Sequence, residues 1–138
     1  REAFGETFFN KTLVLFGRLG MAPEDQMATL TAFSAECIVR AVREHFPPDS
    51  PPVEFIAGGG GVNNRSMMNR LAEGLGPAPL VTSAERGIYP AAVEAAAFAL
   101  LGWATLRGVP ANVPAATGAE RAVILGNITP GKNYLSML

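Results

Sequence analysis

The stretch "VEFIAGGGGVNNRSMMNRLAEGL", Val53 to Leu75, sets a short apolar run against four successive glycines and then a helical pattern. One glycine is enough to let a chain turn sharply. Four in succession, Gly58 to Gly61, admit two readings. Backbone N–H groups could be brought close to an anion at a helix N-terminus, or a strand could turn tightly into a helix with close packing. The spacing is not G-x-G-x-x-G, and no Lys-Ser or Lys-Thr follows to complete a P-loop. No acidic residue stands at the distance on a second strand that would hold a ribose in Rossmann fashion. Asn63 and Asn64 read most simply as helix N-caps, with ligand contact the alternative.

Working outward, Val53 to Ala57 is expected to be a short buried strand, and a helix should run from Asn63 or Asn64 to Leu75. "PLVTS", Pro79 to Ser83, reads as the next strand, and Pro90 to Arg107 as the next helix, with Gly108 at its end and Pro110 beyond. This strand–helix–strand–helix order implies an α/β fold, with a parallel sheet and helices packed on it. Upstream, Phe4, Phe8, Leu15, Phe16 and Leu19 recur at near-helical spacing before Gly20. A second helix opens at Pro23, with Glu24 and Asp25 in its first turn and Met27, Leu30, Phe33, Cys37, Ile38, Ala41 and Val42 along its apolar stripe. "PPDSPP", Pro47 to Pro52, ends that helix as a stiff loop. Downstream, Ala122 to Leu125 offers one more short strand, and Pro130-Gly131 a turn.

Composition narrows the function. With 49% apolar residues in 138, the chain can bury the core of one domain. The net charge of −1, with 11 scattered basic residues, argues against a nucleic-acid partner. Cys37 is the only cysteine and His45 the only histidine, so neither a disulfide framework nor a His-His zinc site can be completed here. No apolar run is long enough to span a membrane, and a reducing cytoplasm fits best. The chain begins at Arg1, inside a helical pattern, and so reads as a piece of something longer.

Glu94 is the one charge between Pro90 and Leu106. A helix apolar on nearly every face should be substantially buried, and an unpaired buried carboxylate is costly. Glu94 should therefore be paired, protonated or near a cavity mouth, a candidate for a site at the C-terminal edge of the sheet. Alternatively it sits in the first turn, favoured by the helix dipole, and reaches solvent. Phe98 and Trp103 are expected in the core. Thr82, Ser83 and Glu85 follow a strand and could touch a ligand, though loop polarity alone accounts for them. Cys37 reads as a small buried hydrophobe, and His45 as a residue favoured by the C-terminal end of its helix.

Taken in order, these segments resemble the C-terminal part of the anhydro-N-acetylmuramic acid kinases, sugar kinases of the actin/hexokinase/Hsp70-type ATPase superfamily. "REAFG" and "ATLTAFSAECI" are similar to the family's corresponding segments. "GGGVNNRSMMNRL" resembles its G-G-G-x-x-N-x-x-L-M-x-R-L, "GIYPAAVEAAAFALLGWATLRGVPANVPAATGA" its G-I-x-x-x-x-x-E-A-x-x-F-A-x-L and N-x-P-x-x-T-G-A, and "VILGNITPG" its L-G-x-I-x-P-G. The chain departs at Pro90 to Val93, where the family often carries charge, and at Arg65, where a proline is common.

The resemblance implies a C-terminal lobe of an actin-like ATPase, ribonuclease H-like in fold, incomplete without an N-terminal lobe. It would comprise a helical segment 1–46, a strand, glycine-loop and helix segment 53–107, and a strand and tail 108–138. It implies use of ATP and Mg²⁺ to open the 1,6-anhydro ring of anhydro-N-acetylmuramic acid. Water attacks the anomeric carbon while O6 takes the γ-phosphoryl group, giving N-acetylmuramic acid 6-phosphate in cell-wall recycling. Gly59, Gly60, Gly61 and Asn64 would then face the nucleotide, and Glu94 the sugar or the attacking water. The family's general-base aspartate lies in the N-terminal part, so none is assigned here, nor is a metal ligand. The sugar, the N-terminal lobe and a second copy in a homodimer are the partners implied. A non-catalytic adenine-nucleotide binding or assembly module of the same fold is the alternative.

Overall fold

The computed structural model describes residues 4–47 and 49–132. Helix α1 spans Glu6–Arg18 and ends at Leu19, where Gly20 takes φ 63°. Helix α2 spans Pro23–His45, starting at the proline whose fixed φ suits a first helical turn. Strand β1 is Phe55–Ala57, followed by a 3₁₀ turn at Gly60–Asn63 and helix α3 at Arg65–Gly74. Strand β2 is Leu80–Thr82, followed by a 3₁₀ turn at Ser83–Arg86. A short 3₁₀ turn at Pro90–Ala92 leads into helix α4, Val93–Leu106, and a single helical turn α5 occupies Pro114–Thr117. The two strands pair in parallel, Phe55 opposite Leu80 and Ala57 opposite Thr82, as a β–α–β order requires. The fold is thus mixed helix with a small parallel sheet, consistent with the α/β expectation.

The chain forms two compact units, Arg1–Pro90 and Ala91–Leu138. In the first, the core lies between α2 and α3, where Ala35, Val39 and Leu71 are buried and Met67, Leu75 and Leu80 pack around them. The buried residues of α2 are Ala35 and Val39, each 2% exposed, rather than the larger side chains of the expected stripe. The reason is the closeness of the crossing: Gly74 of α3 meets Val39, so α2 must present small and β-branched residues there. Arg43 then reaches across to donate to the Gly74 carbonyl at 2.9 Å, satisfying an orphan acceptor at the end of α3. Met27, Phe33 and Ile38, on the expected stripe, are largely exposed. Phe33 instead joins Phe4 and Phe8 in an aromatic cluster, its ring stacked on Phe8 at 5.5 Å. Cys37, on the same stripe, is half-buried.

In the second unit, α4 departs from expectation. Ala104 is its one buried residue, while Phe98 is 66% and Trp103 53% exposed, so neither lies in the core. An apolar sequence shows that a helix is suited to burial, yet a neighbour must exist to bury it, and α4 has few among the described residues. Ala122 to Leu125 is irregular chain rather than a strand. Its polar groups go elsewhere: Val123 accepts from the Ala111 N–H at 3.2 Å, the Val123 N–H donates to Asn112 Oδ1, and the Leu125 carbonyl lies 2.6 Å from Thr105 Oγ1. Two side chains and one backbone N–H have taken the place of a neighbouring strand.

Candidate functional site

Parallel strands leave their ligand-binding crevice at their C-terminal edge, and here two turns leave that edge. The first is the glycine turn. Gly59 has φ 80° and ψ −174°, a conformation open essentially to glycine. Its N–H donates to the Pro90 carbonyl at 2.9 Å. Gly60 has no such backbone demand, and a Cβ placed on it would meet open space. At Gly61 the nearest atom to an added Cβ is Met67 Sδ at 3.8 Å, an ordinary contact. Packing therefore does not require glycine at 60 or 61. Of these three glycines, backbone conformation requires only Gly59, where an added Cβ would likewise meet open space.

Asn64 caps α3: its Oδ1 accepts from the Met67 N–H at 3.0 Å, while its carbonyl accepts from Met68. Asn63 ends the 3₁₀ turn and is exposed. Beside the turn, β1 and α3 enclose an apolar hollow of about 360 Å³. Ala57, Gly58, Gly61, Val62, Met67 and Met68 line its mouth and floor, with Ile38 of α2 contributing. A volume of this order suits a small organic group, since ligand pockets start at roughly 300 Å³. A larger hollow, about 570 Å³, lies in the second unit between α4 and the tail, lined by Phe98, Leu101, Leu125 and Ile128 among others. Its Thr105 hydroxyl is already engaged with Leu101 and Leu125.

The second turn, after β2, is held by its own side chains. The Thr82 N–H donates to Glu85 Oε1 at 2.7 Å and the Thr82 hydroxyl stands 3.1 Å from the same oxygen. These bonds, the backbone one foremost, hold the Glu85 carboxyl below its ordinary range. Thr82 and Glu85 thus form a capping box, which accounts for their polarity without a ligand. Ser83 is buried at 5% exposure, and its hydroxyl has no hydrogen-bond partner among the described residues. Arg86, which sequence reasoning missed, forms an ion pair with Glu54 just before β1. Arg86 Nε lies 3.0 Å from Glu54 Oε1, and Nη2 meets Oε2. The bond from Arg86 holds the Glu54 carboxyl below its ordinary range, and the same bond raises the guanidinium above its own. A charge pair 32 residues apart leaves no periodic signal in a sequence.

Glu94 lies in the first turn of α4 and is exposed, with no ion pair among the described residues. Of the two expectations for it, the exposed first-turn position is the one observed. His45 is exposed in the last turn of α2. The structure therefore brings Gly59, Gly60, Gly61 and Asn64 together in one turn, of which Gly61 lines the hollow. Glu94 belongs to the other unit. Among the described residues, no group of three or more His, Cys, Asp or Glu side chains could hold a metal ion, and no helix is long and apolar enough to cross a membrane.

Comparison with known proteins gives a consistent result. The family described as Anhydro-N-acetylmuramic acid kinase matches residues 1–131. A protein of that name from Streptomyces avermitilis is 39% identical over 99% of this chain and 34% of its own length. Those from Cyanothece sp. and Gloeobacter violaceus are 40% and 43% identical, over 93% and 94% of this chain and 33% of their own lengths. The chain spans about a third of the length of the relatives it matches. Matched along nearly all its residues, the chain belongs to the anhydro-N-acetylmuramic acid kinase family.

Proposed function

We propose that the chain is the C-terminal part of an ATP-dependent anhydro-N-acetylmuramic acid kinase, and that its glycine turn faces the nucleotide. One observation carries the second half of this reading. Gly60 and Gly61 need no glycine for packing, yet Gly61 lines an apolar hollow after the first of two parallel strands, and Gly60 precedes it in the same turn. Bare backbone there lets a nucleotide approach more closely than any side chain would permit. The hollow accepts a flat apolar group such as a purine ring, while the exposed N–H groups of the turn suit ribose or phosphate oxygens.

ATP would supply the phosphoryl group that O6 of the sugar receives as the anhydro ring opens. This chain's share of the work is to bind and orient, which in phosphoryl transfer is a large part of catalysis. Glu94, exposed at the start of an apolar helix, is proposed to orient the sugar or the attacking water. Mg²⁺ usually sits between phosphate oxygens and one or two carboxylates. The described residues do not form a metal site, so no ligand is assigned to it here. The actin-like lobe, the N-terminal lobe as its partner, a homodimer and a cytoplasmic location belong to the same proposal.

The test is ATP-dependent conversion of anhydro-N-acetylmuramic acid by the full-length protein, wild type against Glu94→Ala and Gly60→Val. Gly60→Val should raise the KM for ATP, and Glu94→Ala should lower kcat. Unaltered turnover in both variants removes the proposed sites. Absence of turnover in the wild type removes the activity.

A further inference from the structure

The glycine turn is held from outside itself. The Gly59 N–H is fixed by the Pro90 carbonyl at 2.9 Å, and Pro90 closes a strap that leaves β2 at Thr82. Within the strap, the Thr82–Glu85 capping box shapes the first turn, and the Ile88 N–H donates to the Ser83 carbonyl at 3.0 Å across Gly87 at φ 83°. Those bonds are internal and do not tie the strap to β1. Arg86 does: its guanidinium grips both oxygens of Glu54, the residue immediately before β1, and β1 runs directly into the glycines.

We propose that Arg86, acting through Glu54, is a positioning residue for the nucleotide: the ion pair anchors strap 83–90 against β1, and the anchored Pro90 carbonyl aims the glycine turn. A two-pronged Arg–carboxylate contact is directional, which suits a positioning role. An exposed pair of this kind contributes little to global stability, so its loss should be felt more in the turn than in unfolding. The inference rests on the reading of the turn as the nucleotide contact.

Steady-state kinetics of the full-length kinase test it, with Arg86→Ala, Arg86→Lys and Gly59→Val compared with wild type. Arg86→Ala should raise the KM for ATP by roughly twofold to fivefold, the scale of an exposed ion pair. Its kcat should fall less than KM rises, and the KM for the sugar should hold. Arg86→Lys should lie between, because an ammonium restores the charge without the fork. A wild-type KM for ATP in Arg86→Ala, alongside a raised value in Gly59→Val, overturns the strap's role and leaves the turn's role standing. Equal rises in both KM values with a lowered melting temperature would mark a merely structural pair and also overturn it. Wild-type behaviour in Gly59→Val as well removes the site reading, and this inference with it. Should Gly59→Val not fold, Gly60→Val serves in its place, since its side chain has open space to enter.

Discussion

Gly74 of α3 and Val39 of α2 approach so closely that a Cβ on the glycine would stand 2.6 Å from Val39 Cγ2 and 3.0 Å from Cγ1. The helix pair is set by this contact, because neither a bulkier residue nor a shifted register fits it. Gly74→Ala should therefore destabilise the protein by roughly 1–3 kcal/mol, the usual cost of overpacking. Val39→Ala alone should also destabilise it, yet Gly74→Ala added to Val39→Ala should cost less than it does alone. Thermal or urea unfolding of the four proteins in this cycle checks the coupling.

The cap at Asn64 predicts a smaller effect. Asn64→Ala removes the acceptor for the Met67 N–H, and it should lower stability by about 1 kcal/mol. Asn64→Asp should retain the cap. Urea unfolding of both variants distinguishes them.

The two neighbouring glycines should separate fold from ligand. Gly59→Ala must adopt a backbone conformation that glycine alone takes easily, at a cost of order 1–3 kcal/mol. Gly60→Ala meets nothing and should leave the melting temperature unchanged. If the turn faces a nucleotide, Gly60→Ala should still weaken ATP binding, as measured by calorimetry on the full-length protein.

Acid should loosen the strap. Glu54 and Glu85 are both held below their ordinary range, Glu54 by Arg86 and Glu85 by the Thr82 N–H. Above the ordinary carboxylate range both groups are ionised in the folded and unfolded states, and their stabilisation is fully present. As pH falls through that range and then through the lowered folded values, the unfolded chain takes up protons first and the stabilisation is lost. Stability should therefore hold from neutral pH down to the ordinary carboxylate range and decline as pH falls through and below it. The decline should be shallower in Glu54→Gln and in Glu85→Gln, which unfolding midpoints across a pH series would show.

Thr105 holds the chain after α5 to α4. Its hydroxyl lies 2.9 Å from the Leu101 carbonyl and 2.6 Å from that of Leu125. Thr105→Val should cost about 1–3 kcal/mol, because the Leu125 carbonyl loses its donor. Thr105→Ser should recover most of it. Hydrogen exchange in the tail would localise the effect.

Much of this architecture was legible in the residues. Helix boundaries followed Pro23, Gly20 and Gly108, and both strands lay inside the runs Val53 to Ala57 and Pro79 to Ser83. These signals are local, so a single sequence carries them. The α2 core face was misread because large apolar residues outweigh small ones in any periodic count, while a close helix crossing selects Ala35 and Val39. The burial of Phe98 and Trp103 was misread for another reason: apolarity states a preference, and a neighbouring surface decides whether it is met. Among the site residues, the glycine turn and Asn64 stood out by type and spacing. Arg86 and Glu54 did not, because their meeting depends on a crossover that only the folded chain supplies.

The cap on α3 carries a last consequence. With one lone pair of its Oδ1 engaged by the Met67 N–H, the Asn64 carboxamide offers an incoming molecule both NH₂ hydrogens but a single remaining acceptor position. The side chain that looks evenly amphoteric in the sequence is, in the folded chain, weighted toward donation. A hydroxyl, carbonyl or phosphate oxygen finds two hydrogens there, where a donor finds one lone pair.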